Sequence, residues 1–325
     1  MTQTLEVGET QFSPEVVTFG ETMGLLIGGP KGIEHSASLE KSFGGAESNF
    51  AIGLARLGHR VGWFGLLGND PMGRMILKTL RGEGVDVSRA GVSKEAPTGL
   101  MLKERLAGNT SVYYYRKLSA ASRMTPEQLD AAYISRAKYL HITGITPALS
   151  ETCRDTVLEA VRIARTNGVK VVFDPNLRLK LWDLEEAREV LLRIAEEADY
   201  FLPGLDELKL LYETDDFDRI VERLRQLRAR SIVKGGNDET YVIDDGDVIA
   251  VPYFKATHFV DSVGAGDGFC SGFISGLLRG YDLAEAVRLG NLSGSLVVQM
   301  IGDWEGLPTC EEVDAVLGDR KHVER

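Results

Sequence analysis

Short apolar runs alternate with amphipathic runs of helical period along most of this 325-residue chain. EVVTFGET (15–22) reads as a strand and SNFAIGLARLG (48–58) as a helix, with Ser48 placed to cap it and Gly58 to end it. RVGWFGLLG (60–68) is strand-like, and PMGRMILKTLRGEG (71–84) is a helix with Pro71 in its first turn. The pattern resumes with KYLHITGI, SETCRDTVLEAVRIARTNG, KVVFDPN, DLEEAREVLLRIAEEA, YFLPG and LDELKLLYE, strand and helix in turn. Such alternation requires crossover connections, and so a mostly parallel sheet covered by helices on both faces. The expected fold class is α/β.

One region breaks the pattern. In TGLMLKERLAGNTSVYYYRK (98–117) two extended runs flank AGNT, a good hairpin turn, and helix signals are absent. Together with the segment around Gly28–Phe43 it predicts a small sheet apart from the main one. The expected architecture is one domain over 1–325, with β-lid segments at about 24–43 and 97–118. There is no internal repeat and no low-complexity linker.

The formal net charge is −11 and the pI about 5.1, which argues against nucleic acid or anionic membrane as the main partner. It does not exclude a small anionic substrate held by local basic residues. Cys153, Cys270 and Cys310 are far apart and odd in number, so no disulfide framework or Cys-pair metal site is expected. The opening MTQTLEVGETQ is polar and acidic, unlike a signal peptide, and no apolar run approaches the ~20 residues of a membrane span. The expected location is the cytoplasm. A hairpin with exposed edges tends to find a partner, so a homo-oligomer through the lid is a further expectation.

Glycine is abundant, 36 residues, and DSVGAGDGF (261–269) concentrates it just before the apolar run FCSGFISGLL. A glycine turn leading into a helix N-terminus makes a cradle for an anion such as phosphate. Asp267 beside such a cradle repels phosphate unless it has a task. Two tasks fit: holding Mg²⁺, or accepting a proton from a hydroxyl that attacks the phosphate. A plain helix cap is the alternative. No Walker-type loop, no G-x-G-x-x-G after the first strand, no H-E-x-x-H and no G-x-S-x-G occurs. The five histidines show no metal-ligand spacing.

FGGAESNFAIGLARLG (43–58) and DSVGAGDGFCSGFISGLL (261–278) resemble the paired signatures of the ribokinase-like (PfkB) family of carbohydrate kinases. Gly44, Gly45 and Asn49 match its G-G-x-x-x-N element; Asp261–Asp267 matches D-T-x-G-A-G-D, with Ser262 in place of Thr. GND at Gly68–Asp70 also fits, and the resemblance runs from about Val16 to about Pro308. It implies a ribokinase-like fold, ATP and Mg²⁺ as cofactors, and Gly44, Gly45 and Asn49 at the substrate. It implies that Gly264, Ala265 and Gly266 cradle the phosphoryl group and that Asp267 is the base. Asp261 then shapes the loop or lies near the metal. The family's metal element N-x-x-E falls at Gly204–Glu207, where Glu207 matches and the Asn is absent. Lys234, Gly235 and Gly236 match the strand end bordering the nucleotide phosphates, and Asn291 falls where the last helices border the adenine.

In SVYYYRKLSAAS, Tyr114 and Arg116 share one strand face, with Tyr113 and Tyr115 opposite. An inward Arg can bind a carboxylate bidentately; pairing of Arg116 with Glu104 across the hairpin is the alternative. Arg178 lies in DPNLRLKLW, which resembles the D-x-N-x-R-x-x-L-W of 2-keto-3-deoxygluconate kinases. YYRK-x-SA, HITGITPALS and GDWEG near Asp303 match the same subgroup. The resemblance implies phosphorylation of that sugar acid at its C-6 hydroxyl, with Tyr114, Arg116, Arg178 and Asp303 at the sugar. Met101 departs from the pattern and leaves room for the galactonate analogue. Competing readings are a kinase for fructose, ribose or a nucleoside, and a non-catalytic binding protein; the intact GAGD speaks against the last.

Overall fold

The computed structural model describes residues 13–106, 109–236, 238–244 and 246–318. An eight-stranded sheet runs in the order Asp247–Pro252, Glu239–Asp244, Arg230–Gly236, Tyr200–Phe201, Lys170–Asp174, Tyr139–Thr143, Val16–Phe19, Val61–Phe64. From Arg230–Gly236 onward the strands pair in parallel, and the first two add antiparallel pairing at one edge. Successive residues of one strand enter opposite cores. Val17, Phe19, Val171 and Phe173 lie in one, Val16, Val172 and Trp63 in the other. Both faces are therefore covered, which is why these strands read as continuous apolar runs.

Helices Glu151–Thr166, Leu184–Glu197 and Leu205–Tyr212 cover the first face with Val157, Leu191 and Leu208. Helices Ala46–Arg56, Ala265–Leu278 and Leu283–Val297 cover the second with Phe50, Phe273 and Val287. Asp70, Ser150, Asp183 and Asp282 each accept a first-turn backbone N–H as N-caps.

Ser48 does not cap its helix. The helix starts at Ala46 with Gly45 as N-cap, and Ser48 Oγ donates to the Gly45 carbonyl at 3.0 Å. A Cβ at Gly45 would run into the Glu21 carbonyl, so the chain must turn at the glycine itself. Gly58 does follow the helix end, at φ +86. Two expected strands are each divided. EVVTFGET leaves the main sheet after Phe19, and Met23–Ile27 starts in another sheet. RVGWFGLLG divides at Gly65, and Leu66–Gly68 pairs with Gly91–Ser93.

The small separate sheet is present, in the order Glu40–Gly44, Met23–Ile27, Leu100–Leu106, Asn109–Tyr115. Its own core is Met23, Leu25 and Met101. The two runs around AGNT pair antiparallel, Leu100 opposite Tyr115. Ala107 and Gly108 of that turn lie outside the described residues, as do residues 1–12. Among the described residues no helix is long and apolar enough to cross a membrane.

Candidate active site

The C-terminal ends of the parallel strands and the small sheet enclose a cleft of about 1320 Å³. This edge is where open α/β sheets bind ligands. Asp174 and Lys234 reach it from strand ends, Tyr114 and Met101 from the small sheet, Asn49 and Asp267 from the two glycine-rich segments.

Gly264 is the N-cap of Ala265–Leu278 and adopts φ +80. A side chain there would be strained, and its Cβ would collide with the Asp303 carbonyl. At Gly266 nothing stands within 4 Å of the Cβ position, so the first turn of the helix opens onto free space. The positive end of a helix, with no side chain at Gly264 or Gly266, is thereby presented to the cleft.

Asp267 occupies that first turn and is half-buried. Asn49 Nδ2 donates to its Oδ2 at 2.8 Å. Burial pushes its pKa up to about 7; the Asn49 bond opposes the rise, and the charges of Asp174 and Glu47 add to it. A carboxylate titrating near neutrality, at the lip of an anion cradle, suits proton acceptance. Asn49 Oδ1 is buried and has no protein partner among the described residues, so it remains free to accept from a ligand hydroxyl.

A second charged group lies deeper. Lys234 Nζ donates to Asp174 Oδ2 at 2.9 Å, and Cys270 Sγ sits 3.3 Å from the same oxygen. Burial disfavours the Lys234 charge, but Asp174 outweighs it and raises the pKa. Glu207 accepts backbone N–H from Leu177 and Gly204, each at 2.6 Å. Burial and the Asp174 charge raise its pKa. Among the described residues no three His, Cys, Asp or Glu side chains converge as a metal cage. Two carboxylates already engaged by protein donors fit an ion that keeps its waters and takes its remaining ligands from phosphate, as Mg²⁺ does.

In the same cleft, Arg116 is ion-paired with buried Glu21, which also accepts from Ser119 Oγ at 2.7 Å. Arg116 Nε is buried with no hydrogen-bond acceptor among the described residues. Its guanidinium lies 5.6 Å from the Tyr114 ring centre, and Lys180 Nζ lies 5.7 Å from the same ring. The alternative pairing of Arg116 with Glu104 is not formed. Glu104 instead accepts from Tyr113 Oη at 2.9 Å and Ile33 N at 3.0 Å, on the opposite strand face. Arg178 lines the cleft, exposed, with Nη1 donating to the Leu177 carbonyl at 3.2 Å.

Gly44, Gly45, Gly264 and Asp303 are brought to the same cleft. Asp261 shapes its loop by accepting from Val263 N at 3.2 Å. Gly235, at φ +89, donates to Tyr253 Oη, and Gly236 pairs with Glu239. Asn291 is not part of the cleft lining. It is buried, accepts from Thr240 Oγ1 at 2.7 Å and donates to the carbonyls of Val251 and Pro252, clamping helix Leu283–Val297 to the edge hairpin.

The family model described as pfkB family carbohydrate kinase matches residues 13–310. The chain belongs to the pfkB family of carbohydrate kinases. Among its relatives, a 2-dehydro-3-deoxygluconokinase of Bacillus subtilis is 40% identical over 95% of this chain and 97% of its own. A 5-dehydro-2-deoxygluconokinase of Shouchella clausii is 33% identical over 90% of each chain. Among solved structures, a PfkB protein from Polaromonas sp. JS666 superposes with a TM-score of 0.86 at 38% identity, covering 94% of this chain and 100% of its own. A putative ribokinase II from E. coli, in complex with ATP and Mg²⁺, gives 0.85 at 26% identity with the same coverages.

This pfkB kinase also carries residues lining the cleft or buried behind it that sequence reading passed over. Lys103 sits in LMLKERL two residues after inward Met101, so strand parity alone puts it on the inner face. Glu47, inside GGAESN, is buried; its Oε1 accepts from Thr143 Oγ1 at 2.7 Å and Thr146 Oγ1 at 2.8 Å, and burial pushes its pKa up to about 7. Asp174 and Glu21 follow apolar strand runs, and Asp174 also opens the D-x-N-x-R segment.

Proposed function

We propose that this carbohydrate kinase transfers the γ-phosphoryl group of ATP to the C-6 hydroxyl of a sugar acid, 2-keto-3-deoxygluconate (2-dehydro-3-deoxygluconate). The observation that carries the reading is the charge gathered in one cleft. A near-neutral carboxylate beside an open helix N-terminus shares its lining with Arg116, Arg178 and Lys180, in a chain of net charge −11. Relatives named for two different sugar acids support the acid over a neutral sugar.

In this reading Asp267 takes the hydroxyl proton as the hydroxyl oxygen attacks the γ-phosphorus, and the bond from that phosphorus to the β,γ-bridging oxygen breaks to release ADP. Asn49 holds Asp267 in place and offers Oδ1 to the acceptor. The Gly264–Gly266 turn receives the charge that develops on the phosphoryl oxygens. Lys234, Gly235 and Gly236 lie along the nucleotide phosphates. Glu207 and Asp174 would hold Mg²⁺, which would supply charge neutralisation for the phosphates. Tyr114, Arg116, Arg178 and Asp303 orient the acid, with the two guanidiniums toward its carboxylate.

The test is a panel of 2-keto-3-deoxygluconate, its galactonate analogue, 5-dehydro-2-deoxygluconate, fructose, ribose and adenosine with ATP·Mg²⁺. The phosphorylated carbon is then assigned by phosphorus–proton NMR. The reading expects the highest kcat/KM on a 2-keto-3-deoxy acid and phosphate on C-6. Preference for a neutral acceptor overturns it.

A further inference from the structure

Lys103 is a lysine on the inward face of a strand of the small sheet, 6% exposed. Its Nζ donates to Asp261 Oδ2 at 2.8 Å and lies 3.4 Å from Asp303 Oδ1. Burying an ammonium is costly unless it is paired, and here two carboxylates pair it. Both belong to the body of the kinase, so the contact crosses from the small sheet to the loops before helix Ala265–Leu278 and after helix Leu283–Val297.

The two carboxylates share a neighbour. Asp261 opens the loop that ends at Gly264, and its other oxygen accepts from Val263 N. The Asp303 carbonyl packs so closely on Gly264 that no Cβ fits between them, and the Asp303 carboxylate does the same to Gly44. The side chains of Asp261 and Asp303, on either side of the Gly264 turn, therefore meet at Lys103. No other ion pair to Asp261 or Asp303 is formed among the described residues. Without the ammonium, two carboxylates in a water-poor site repel each other and the charge that draws them together beside the turn is lost. Burial already pushes the Asp303 pKa up to about 6, with Lys103 the main influence holding it down.

We propose that Lys103 is a positioning residue: its ammonium ties the small sheet to Asp261 and Asp303, so that seating of the small sheet on the acceptor sets the Gly264–Gly266 turn for phosphoryl transfer. This rests on the reading of that turn as the phosphoryl cradle, and is independent of which acceptor is used. Lys103 touches neither reactant in this role; it acts through the loop.

The test compares wild type with Lys103→Met, Lys103→Arg and Asp261→Asn by amide hydrogen exchange without substrates. Steady-state kinetics follow on whichever acceptor wild type prefers. A lost hydrogen bond to a charged group corresponds to about 10–150-fold. Lys103→Met is expected to speed exchange across 262–268 by about tenfold or more, while the strands at 139–143 and 170–174 exchange as in wild type. Its kcat is expected to fall about 10–100-fold with KM for ATP little changed. Lys103→Arg, which keeps the charge, should hold the loop protected and retain most of the kcat. Asp261→Asn keeps Lys103 beside Asp303, and should loosen the same loop even if Lys103→Met does not fold. The proposal is overturned if loop exchange and kcat in Lys103→Met match wild type, or if Lys103→Arg loses as much as Lys103→Met. Should Lys103→Met fail to fold, an Asp261→Asn loop that exchanges at the wild-type rate overturns it. A wild type that prefers a neutral sugar defeats the sugar-acid reading and leaves the exchange comparison standing.

Discussion

Asn49 Nδ2 donates to Asp267 Oδ2 at 2.8 Å, joining side chains 218 positions apart in sequence. One bond thus closes the two glycine-rich segments into a single site. It favours the ionised carboxylate, while burial and the charges of Asp174 and Glu47 disfavour it, and the balance falls near neutrality.

Replacing Asp267 with Asn removes the proton acceptor and keeps the shape. kcat is expected to fall about 10²–10⁴-fold, the usual worth of general-base help. ATP binding, measured by calorimetry, should be close to wild type. A mutant with near-normal kcat would take the base role away from Asp267.

The pH profile follows from the same residue. The base must be ionised, so kcat/KM should rise with pH through about 7 and level off above it. Asn49→Leu removes a hydrogen bond that favours the charged form. The acid limb should then move to higher pH by about one unit, since a unit corresponds to about 1.4 kcal/mol. A limb that stays in place in Asn49→Leu means that another group limits the rate.

Strand–helix alternation was enough to find the parallel sheet, because both its faces are buried and each strand shows as an apolar run. The glycine motifs were legible for a related reason. Gly45 and Gly264 stand where no Cβ fits, so the sequence has to show glycine there. Lys103 and Glu47 were missed because their importance lies in what they meet. Asp261, Thr143 and Thr146 are 158, 96 and 99 positions away, and no local pattern records such contacts. Asn291 illustrates the converse. It sits in a segment that matches the family's helices, yet its amide is consumed by Thr240 and two carbonyls.

Stability without ligand should also register Asp267. Its folded pKa, about 7, lies above the unfolded value of 3.8, so the folded chain binds the proton more tightly. The group is neutral in both states well below 3.8; between that value and about 7 its contribution turns against folding as pH rises. Asp267→Asn removes the buried charge. The difference in Tm, mutant minus wild type, should therefore grow from about pH 5 to about pH 8 by a few degrees. A difference that is flat across this range would mean that Asp267 titrates as an ordinary surface carboxylate.

Glu207→Gln tests the metal shell. A glutamine keeps one acceptor for the Leu177 and Gly204 N–H groups and removes the charge. The Mg²⁺ concentration needed for half-maximal rate should increase by about tenfold, as expected when a charged partner is replaced by a neutral one. If only thermal stability changes and the Mg²⁺ titration does not, Glu207 serves the helix start alone.

Arg116 and Arg178, proposed to meet the sugar acid, should behave differently, because only one has a buried partner. Arg178 is exposed and bonds a neighbouring carbonyl, so Arg178→Ala should leave Tm unchanged and raise KM for the sugar acid about 10–150-fold. Neutral sugars should respond little. Arg116 is paired with Glu21, which is 2% exposed, so Arg116→Ala leaves a buried carboxylate without its cation. Breaking a buried pair from one side costs about 3–5 kcal/mol, and Tm should fall as well as affinity. The two effects can be separated by adding Glu21→Gln, which removes the orphaned charge. In that double mutant stability should return while KM for the acid stays high, because the guanidinium fork, with its free Nε donor, is still missing. Full recovery of KM along with stability would make Arg116 a partner of Glu21 only, and would leave Arg178 and Lys180 to meet the carboxylate.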